Sequence, residues 1–131
     1  EQNIRDGANA YRSLLERIRA PEEAIWLLQA SPFLDENSVL QMVLRAAWDH
    51  NLVVFSSNPS HVPKGALFAL FPDNNAMGRH FAQQLRKPSP ASATLLPLEQ
   101  LDTAINIRTA DHLGLGLNAG DARFDMVFPN R

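Results

Sequence analysis

The side chains able to do chemistry gather at a few breaks in an otherwise apolar chain. Val53-Val54-Phe55 runs into Ser56-Ser57-Asn58, and Gly65-Ala66-Leu67-Phe68-Ala69-Leu70-Phe71 runs into Pro72-Asp73, with Gly78 beyond. Buried strands end this way where their carboxyl ends open onto a crevice, the place at which open α/β folds hold small ligands. The Ser56 and Ser57 hydroxyls can donate to a carboxylate or phosphate, helped by neighbouring backbone N–H groups. Serine at a strand end is also an ordinary turn residue, and both readings stand. Asp73 ahead of a helical pattern is a helix cap first and a ligand contact second, and the two roles are compatible.

Catalysis and metal chemistry have less to build on. His50, His61, His80 and His112 show no H-x-x-x-H or other tight ligand spacing, so a metal site would need carboxylates brought in by the fold. No G-x-S-x-G, Walker loop or dinucleotide fingerprint is present, and Gly114-Leu115-Gly116 follows a helical pattern, which makes it a stop signal. Glu22-Glu23 and Asp35-Glu36 are paired only in sequence and read as flanks of solvated loops. No catalytic residue, metal ligand or cofactor is assigned, and the chain is expected not to be an enzyme.

The 131 residues, 45% of them hydrophobic, suit one domain with a single core. A net charge of -2, with Lys and Arg scattered, leaves no electrostatic footprint for nucleic acid or an anionic membrane. The absence of cysteine excludes disulfides, thiolate metal sites and cysteine nucleophiles, and leaves the redox compartment open. The longest apolar run, 66–72, falls far short of the roughly 20 residues of a membrane span. The chain opens on Glu1 without a basic region and apolar segment, so it reads as a mature or trimmed product, the later part of something longer.

The elements that must position these residues follow from periodicity. Ile4, Ala8, Tyr11, Leu15 and Ile18 recur at spacings of four and three, one face of an amphipathic helix that Pro21 ends. Residues 24–28 form a short apolar strand broken by Gln29-Ala30-Ser31-Pro32. A second helix runs to about Asn51, with Asp35, Asn37 or Ser38 as cap and Ser38 and Gln41 at capping-box spacing. Its apolar residues cover more than one stripe, leaving Gln41, Arg45 and Asp49 for solvent, and Trp48 is expected in the core or at an interface. Strands follow at 52–55 and 65–71, then a helix whose Met77, Phe81 and Leu85 share a face, with Gly78 allowing a close approach. After a connector at 87–92, residues 93–98 read as extended. Residues 103–107 alternate, with Ile105 and Ile107 opposite Asn106, and Thr109 can cap a short helix. The tail, 121–128, is expected to return as a short helix or strand. The order α-β-α-β-β-α-β-β-α implies an α/β layered fold with a mainly parallel sheet flanked by helices.

These residues resemble a known family, the type I periplasmic substrate-binding proteins of ABC transporters, in an uncharacterised branch. The resemblance rests on Val53-Val54-Phe55-Ser56-Ser57 followed by Gly65-Ala66-Leu67, then Pro72-Asp73 and Gly78-Arg79, then Ile105-Asn106-Ile107-Arg108-Thr109-Ala110 and Leu113-Gly114-Leu115, in that order over residues 24–115. It implies two α/β lobes joined by hinge crossings, with a small ligand between them, and places this chain in the second half of that fold. Residues 1–58 and the segment from about 93 onward would belong to the second lobe, while strand 65–71 and helix 74–86 would cross back to the first. Nearly all of the first lobe would lie upstream of Glu1, so a partner chain, a homo-oligomer or strand exchange is expected to complete the fold.

The resemblance also implies ligand-facing loops at 29–32, 56–58 and 73–75, with Gln29, Ser31, Ser56, Ser57, Asn58, Asp73 and Asn74 as ligand-binding residues. Many members carry Pro-Asp where Gln29-Ala30 stands, and an aromatic residue where Asn74 stands. Those departures remove an ammonium partner and a stacking surface. The implied function is a solute-binding component of an ABC import system, periplasmic or extracellular, holding a small polar ligand such as an amino acid and docking on a membrane permease. The alternative is a sensor or interaction module with the same fold and an altered or lost pocket. An enzyme of flavodoxin-like layering fits the architecture but has no nucleophile, base or cofactor constellation to support it.

Overall fold

A computed structural model describes residues 2–28, 34–86, 97–120 and 123–129. Among them are four α-helices, α1 (Gln2–Leu15), α2 (Val39–Asp49), α3 (Asn74–Gln84) and α4 (Ile107–His112), and five strands, β1 (Ala24–Leu27), β2 (Val53–Ser56), β3 (Phe68–Pro72), β4 (Leu101–Asn106) and β5 (Met126–Phe128), in the order α1-β1-α2-β2-β3-α3-β4-α4-β5. The strands form one sheet in the order β1-β2-β3-β4-β5. β1, β2 and β3 are parallel, β4 runs antiparallel to β3, and β5 is parallel to β4. The mainly parallel α/β fold expected from the sequence is therefore present.

Alternation along the strands sends two sets of side chains to opposite faces. Ile25, Leu27 and Val54 pack beneath α2, whose Val39, Leu40, Val43, Leu44 and Ala47 are all buried, and Ala8, Tyr11 and Leu15 of α1 close over them. Gln41, Arg45 and Asp49 face solvent, as the stripe predicts. On the other face Val53, Phe55 and Phe68 join Leu67, Ile105, Ala110, Phe124 and Val127 in a second cluster. Trp48, at the end of α2, lies flat against His112 of α4 with ring centroids 3.7 Å apart, so the interface reading holds.

Several local expectations are corrected by who accepts which hydrogen bond. Ser38 makes no side-chain bond to the start of α2. Asp35 instead accepts from the Ser38 backbone N–H at 2.7 Å and from its hydroxyl at 2.6 Å, so the Ser38–Gln41 capping box does not form. Gly65 belongs to a turn at φ 130°, not to a strand, and ladder bonding starts only at Leu67, whose N–H donates to the Val54 carbonyl. Asn106 ends β4 and its side chain accepts from the Thr109 N–H, so Asn106 rather than Thr109 caps α4, and Ile107 is already helical. Gly78 faces open space and brings nothing close. The tail returns as β5, whereas most of the extended segment at 93–98 lies outside the described residues.

One departure from a simple layered domain governs the rest. Ser56, the last residue of β2, is level with Ala69, yet β3 continues through Leu70, Phe71 and Pro72, paired with Thr103, Asp102 and Leu101 of β4. A two-stranded ribbon thus runs three residues, about 10 Å, past the end of β2 at roughly 3.3 Å per residue. It carries α3 at its tip. Asp73 caps that helix, accepting from the Asn75 and Ala76 N–H groups at 2.9 Å each. No α3 side chain is buried, and Phe81 and Leu85 are 55% and 87% exposed.

Candidate functional site

The carboxyl ends of β1 and β2 bring together the polar groups best placed to act as a unit. Ser57 extends the ladder, its N–H donating to the Leu27 carbonyl at 2.9 Å. Its hydroxyl accepts from the Trp26 indole N–H at 3.1 Å, which fixes a ring that is otherwise 61% exposed. Asn58 then caps a 3₁₀ turn, Pro59–His61, by accepting from the Ser60 N–H at 3.0 Å. Proline directly after a capping Asn suits this geometry, because its missing N–H is not needed there and its φ is already helical. One turn later the chain returns His61 to the end of β2.

His61 is the centre of the cluster. Its Nδ1 is 2.8 Å from Ser56 Oγ, while Nε2 lies 3.4 Å from Asn58 Nδ2 and 3.6 Å from Glu36 Oε1. Lys64 Nζ donates to the other Glu36 oxygen at 2.6 Å. Glu36 comes from the loop after β1 and His61 and Lys64 from the loop after β2, so these contacts tie the two strand-end loops together. Burial pushes His61 below the ordinary imidazole value, against the opposing pull of Glu36. The hydrogen bond and charge of Lys64 hold the Glu36 carboxyl below its usual range.

Serine, histidine and glutamate in a chain invite comparison with a nucleophilic triad, but the geometry opposes it. Ser56 is 1% exposed, with its side chain on the helix-covered face of the sheet, and its oxygen also accepts from the Asn58 N–H at 2.9 Å. A hydroxyl so enclosed presents no face to a substrate. Among the described residues no group of three or more His, Cys, Asp or Glu is placed to hold a metal ion.

The candidate ligand residues separate into two places. Ser56, Ser57 and Asn58 lie together, Ser56 inside the fold and the other two half-buried. Asp73 and Asn74 sit at the far end of the ribbon, four residues and about 13 Å further along β3 than the level of Ser56. Asp73 is engaged as the α3 cap, and Asn74 is exposed. Gln29 and Ser31 lie outside the described residues. From the sequence, His61 lacks metal-ligand spacing and Glu36 flanks a solvated loop; the signal for their meeting is Asn58-Pro59, a turn signature that returns His61 toward Ser56.

Two grooves lie on the surface. One of about 220 Å³ lies on the open sheet face between Trp26, Phe55, Phe68 and Leu70. A larger one, about 920 Å³, lies at the opposite edge of the sheet, where residues preceding β1 and β2 meet the end of α1; Leu15, Ile18, Met42 and Leu52 line it together with Arg12, Arg19 and Glu22. It is remote from the His61 cluster.

The fold is one found in substrate-binding proteins. The ligand-free, open form of CD0873, a substrate binding protein with adhesive properties from Clostridium difficile, superposes with a TM-score of 0.62 at 16% identity. A conserved domain protein from Vibrio cholerae gives 0.56 at 23% identity, and an ABC domain from Streptococcus pneumonia in complex with L-Trp gives 0.52 at 17%. Each covers 95% of this chain, and the chain spans 41%, 41% and 42% of their lengths. No family model and no curated protein sequence matches the chain.

Proposed function

We propose that this chain is the solute-binding part of an ABC-type import system and holds a small polar molecule, an amino acid being the leading class. The observation that carries this reading is the β3–β4 ribbon. It leaves the sheet beside the strand-end loops and sets α3, with Phe81 and Leu85 exposed, away from the body. Such a ribbon suits a hinge crossing between two lobes, with α3 packing into the second. Likeness to a substrate-binding protein and to a domain holding L-Trp supports the same reading.

Under it, Ser57 and Asn58 face the solute from one lobe, and the tip of the ribbon around Asp73 and Asn74 approaches from the other. Capture then works by population shift: a solute touching both lobes favours closure because only the closed state offers both sets of contacts. A periplasmic or extracellular location and a permease partner go with this function, and no bond-making step is assigned. Among the described residues no helix is long and apolar enough to cross a membrane.

A second reading has its own support. Ser56, Ser57 and Asn58 all make hydrogen bonds within the chain, and Asn74 offers no ring, as befits a sensor or interaction module whose pocket has changed. A thermal-shift screen of the two-lobe protein that the first reading implies, with the present chain beside it, against amino acids and small polar metabolites decides between them. Under the first reading a solute raises the unfolding midpoint in proportion to the logarithm of its concentration, and Asn58→Ala weakens that response. A well-folded two-lobe form that responds to none of them overturns solute binding in favour of the module.

A further inference from the structure

His61 Nε2 stands between two competitors, the Asn58 amide at 3.4 Å and the Glu36 carboxylate at 3.6 Å. In the neutral ring, one tautomer satisfies the surrounding groups. With the proton on Nδ1, the ring donates to Ser56 Oγ at 2.8 Å, and the Ser56 hydroxyl turns its own proton toward the Leu27 carbonyl at 3.5 Å. Ser56 Oγ also accepts from the Asn58 backbone N–H, and Nε2 is left free to accept from Asn58 Nδ2. The other end of that amide accepts from the Ser60 N–H and caps the 3₁₀ turn.

A second proton on the ring changes this arrangement at one atom. Nε2 becomes a donor, so two N–H groups face each other between the ring and Asn58. Only the Glu36 carboxylate can then accept, through Oε1, while the Lys64 ammonium lies 2.6 Å from Glu36 Oε2. We propose that His61 is a proton-operated latch on the end of β2: neutral, it holds the Asn58 amide and fixes the Ser57–Asn58 loop; protonated, it turns to Glu36 and lets that loop go. The charged groups acting on the ring are Glu36, from the loop before α2, and Lys64, from the turn after the 3₁₀ turn. Its other polar partners, Ser56 and Asn58, are neutral. Because the ring is 2% exposed, burial opposes the imidazolium and places the switch on the acid side of the ordinary imidazole value.

The latch makes His61 a positioning residue for Asn58. Its consequence for solute capture rests on the function proposed above, while the latch itself does not. The test is an NMR pH titration of the full chain, without solute, following the His61 ring, the Asn58 side-chain amide and the Ser60 backbone N–H. The three signals are expected to move with one common midpoint. In Glu36→Gln that midpoint moves to lower pH for all three, because the carboxylate that favours the imidazolium is gone. In His61→Gln the response of Asn58 and Ser60 is lost. Asn58 and Ser60 signals that stay flat through the His61 titration, or a common midpoint unmoved by Glu36→Gln, overturn the latch. Glu36 is an exposed loop residue, so this variant keeps the test decisive if His61→Gln does not fold. A chain that binds solute but shows a flat Asn58 loses the latch alone; a chain that binds nothing but shows the coupled titration keeps it.

Discussion

Asp102 lies on the ribbon near two other carboxylates, Asp73 and Asp125. Partial loss of water around it, with smaller contributions from those two negative charges, raises its pKa above the usual aspartate value. Asp125 escapes the same fate because Thr103 donates to it through both its backbone N–H and its hydroxyl, at 2.8 Å each, which lowers its pKa. For Asp102 the folded state holds its proton more tightly than the unfolded state. Its contribution to stability therefore falls as the pH rises through the interval between the two values, and at neutral pH it is unfavourable. Asp102→Asn is expected to raise the thermal midpoint at pH 7, and the gain is expected to vanish below the carboxylate range. A gain of equal size at both pH values would mean that packing or hydrogen bonding, not charge, is responsible. At this scale the sequence reveals caps more readily than networks. Asp73 is legible because the N–H groups that donate to it lie two and three residues on, whereas the Ser56–His61–Glu36 cluster depends on two loops meeting.

Elements were legible wherever periodicity was long. The stripe of α2 and the exposure of its polar side follow directly from spacing, and the apolar run of β2 marks its position within a residue. Boundaries were less so, because they depend on backbone conformations that side-chain patterns do not encode. Gly65 illustrates this: read as the start of a strand, it takes φ 130°, a conformation that L side chains rarely adopt, and delays β3 to Phe68. Its added Cβ would meet nothing nearer than Leu44 Cβ at 4.0 Å, so any cost of Gly65→Ala comes from the backbone and not from crowding. That cost is expected at about 1–3 kcal/mol in global unfolding by denaturant. Asp73→Ala provides the contrast. Losing an N-cap costs about 1 kcal/mol of helix stability, but α3 buries no side chain, so the loss stays local. Amide exchange is expected to accelerate within α3 while the global midpoint hardly moves. A midpoint lowered as far as by Gly65→Ala would show that α3 is coupled to the core after all.

The whole molecule leaves two apolar surfaces open. Among the described residues the outer edge of β1 is unpaired, since there that strand bonds only to β2, and residues 24–28 contain neither a charge nor a proline to discourage pairing. Trp26 on that strand and Leu28 just beyond it are 61% and 62% exposed, and Trp26 lines the groove with Phe55, Phe68 and Leu70. The second surface is the stripe on α3 that ends in Phe81 and Leu85. The sequence suggested that a partner or a second copy covers such surfaces, and their location can now be put to use. Leu28→Lys puts a charge on the unpaired edge without touching the Trp26–Ser57 hydrogen bond, and Leu85→Lys does the same to the helix. If the edge is the sticky surface, sedimentation velocity will show wild-type association that grows with concentration, unchanged in Leu85→Lys and abolished in Leu28→Lys. The reverse pattern would assign the contact to α3, the helix that the proposed hinge carries toward a second lobe. A wild-type chain that stays monomeric at every concentration would mean that neither surface is enough to hold two copies together. In that case the exposed Trp26 is kept from self-association by its fixed hydrogen bond and by the shortness of β1, whose four residues offer few main-chain bonds to a second strand.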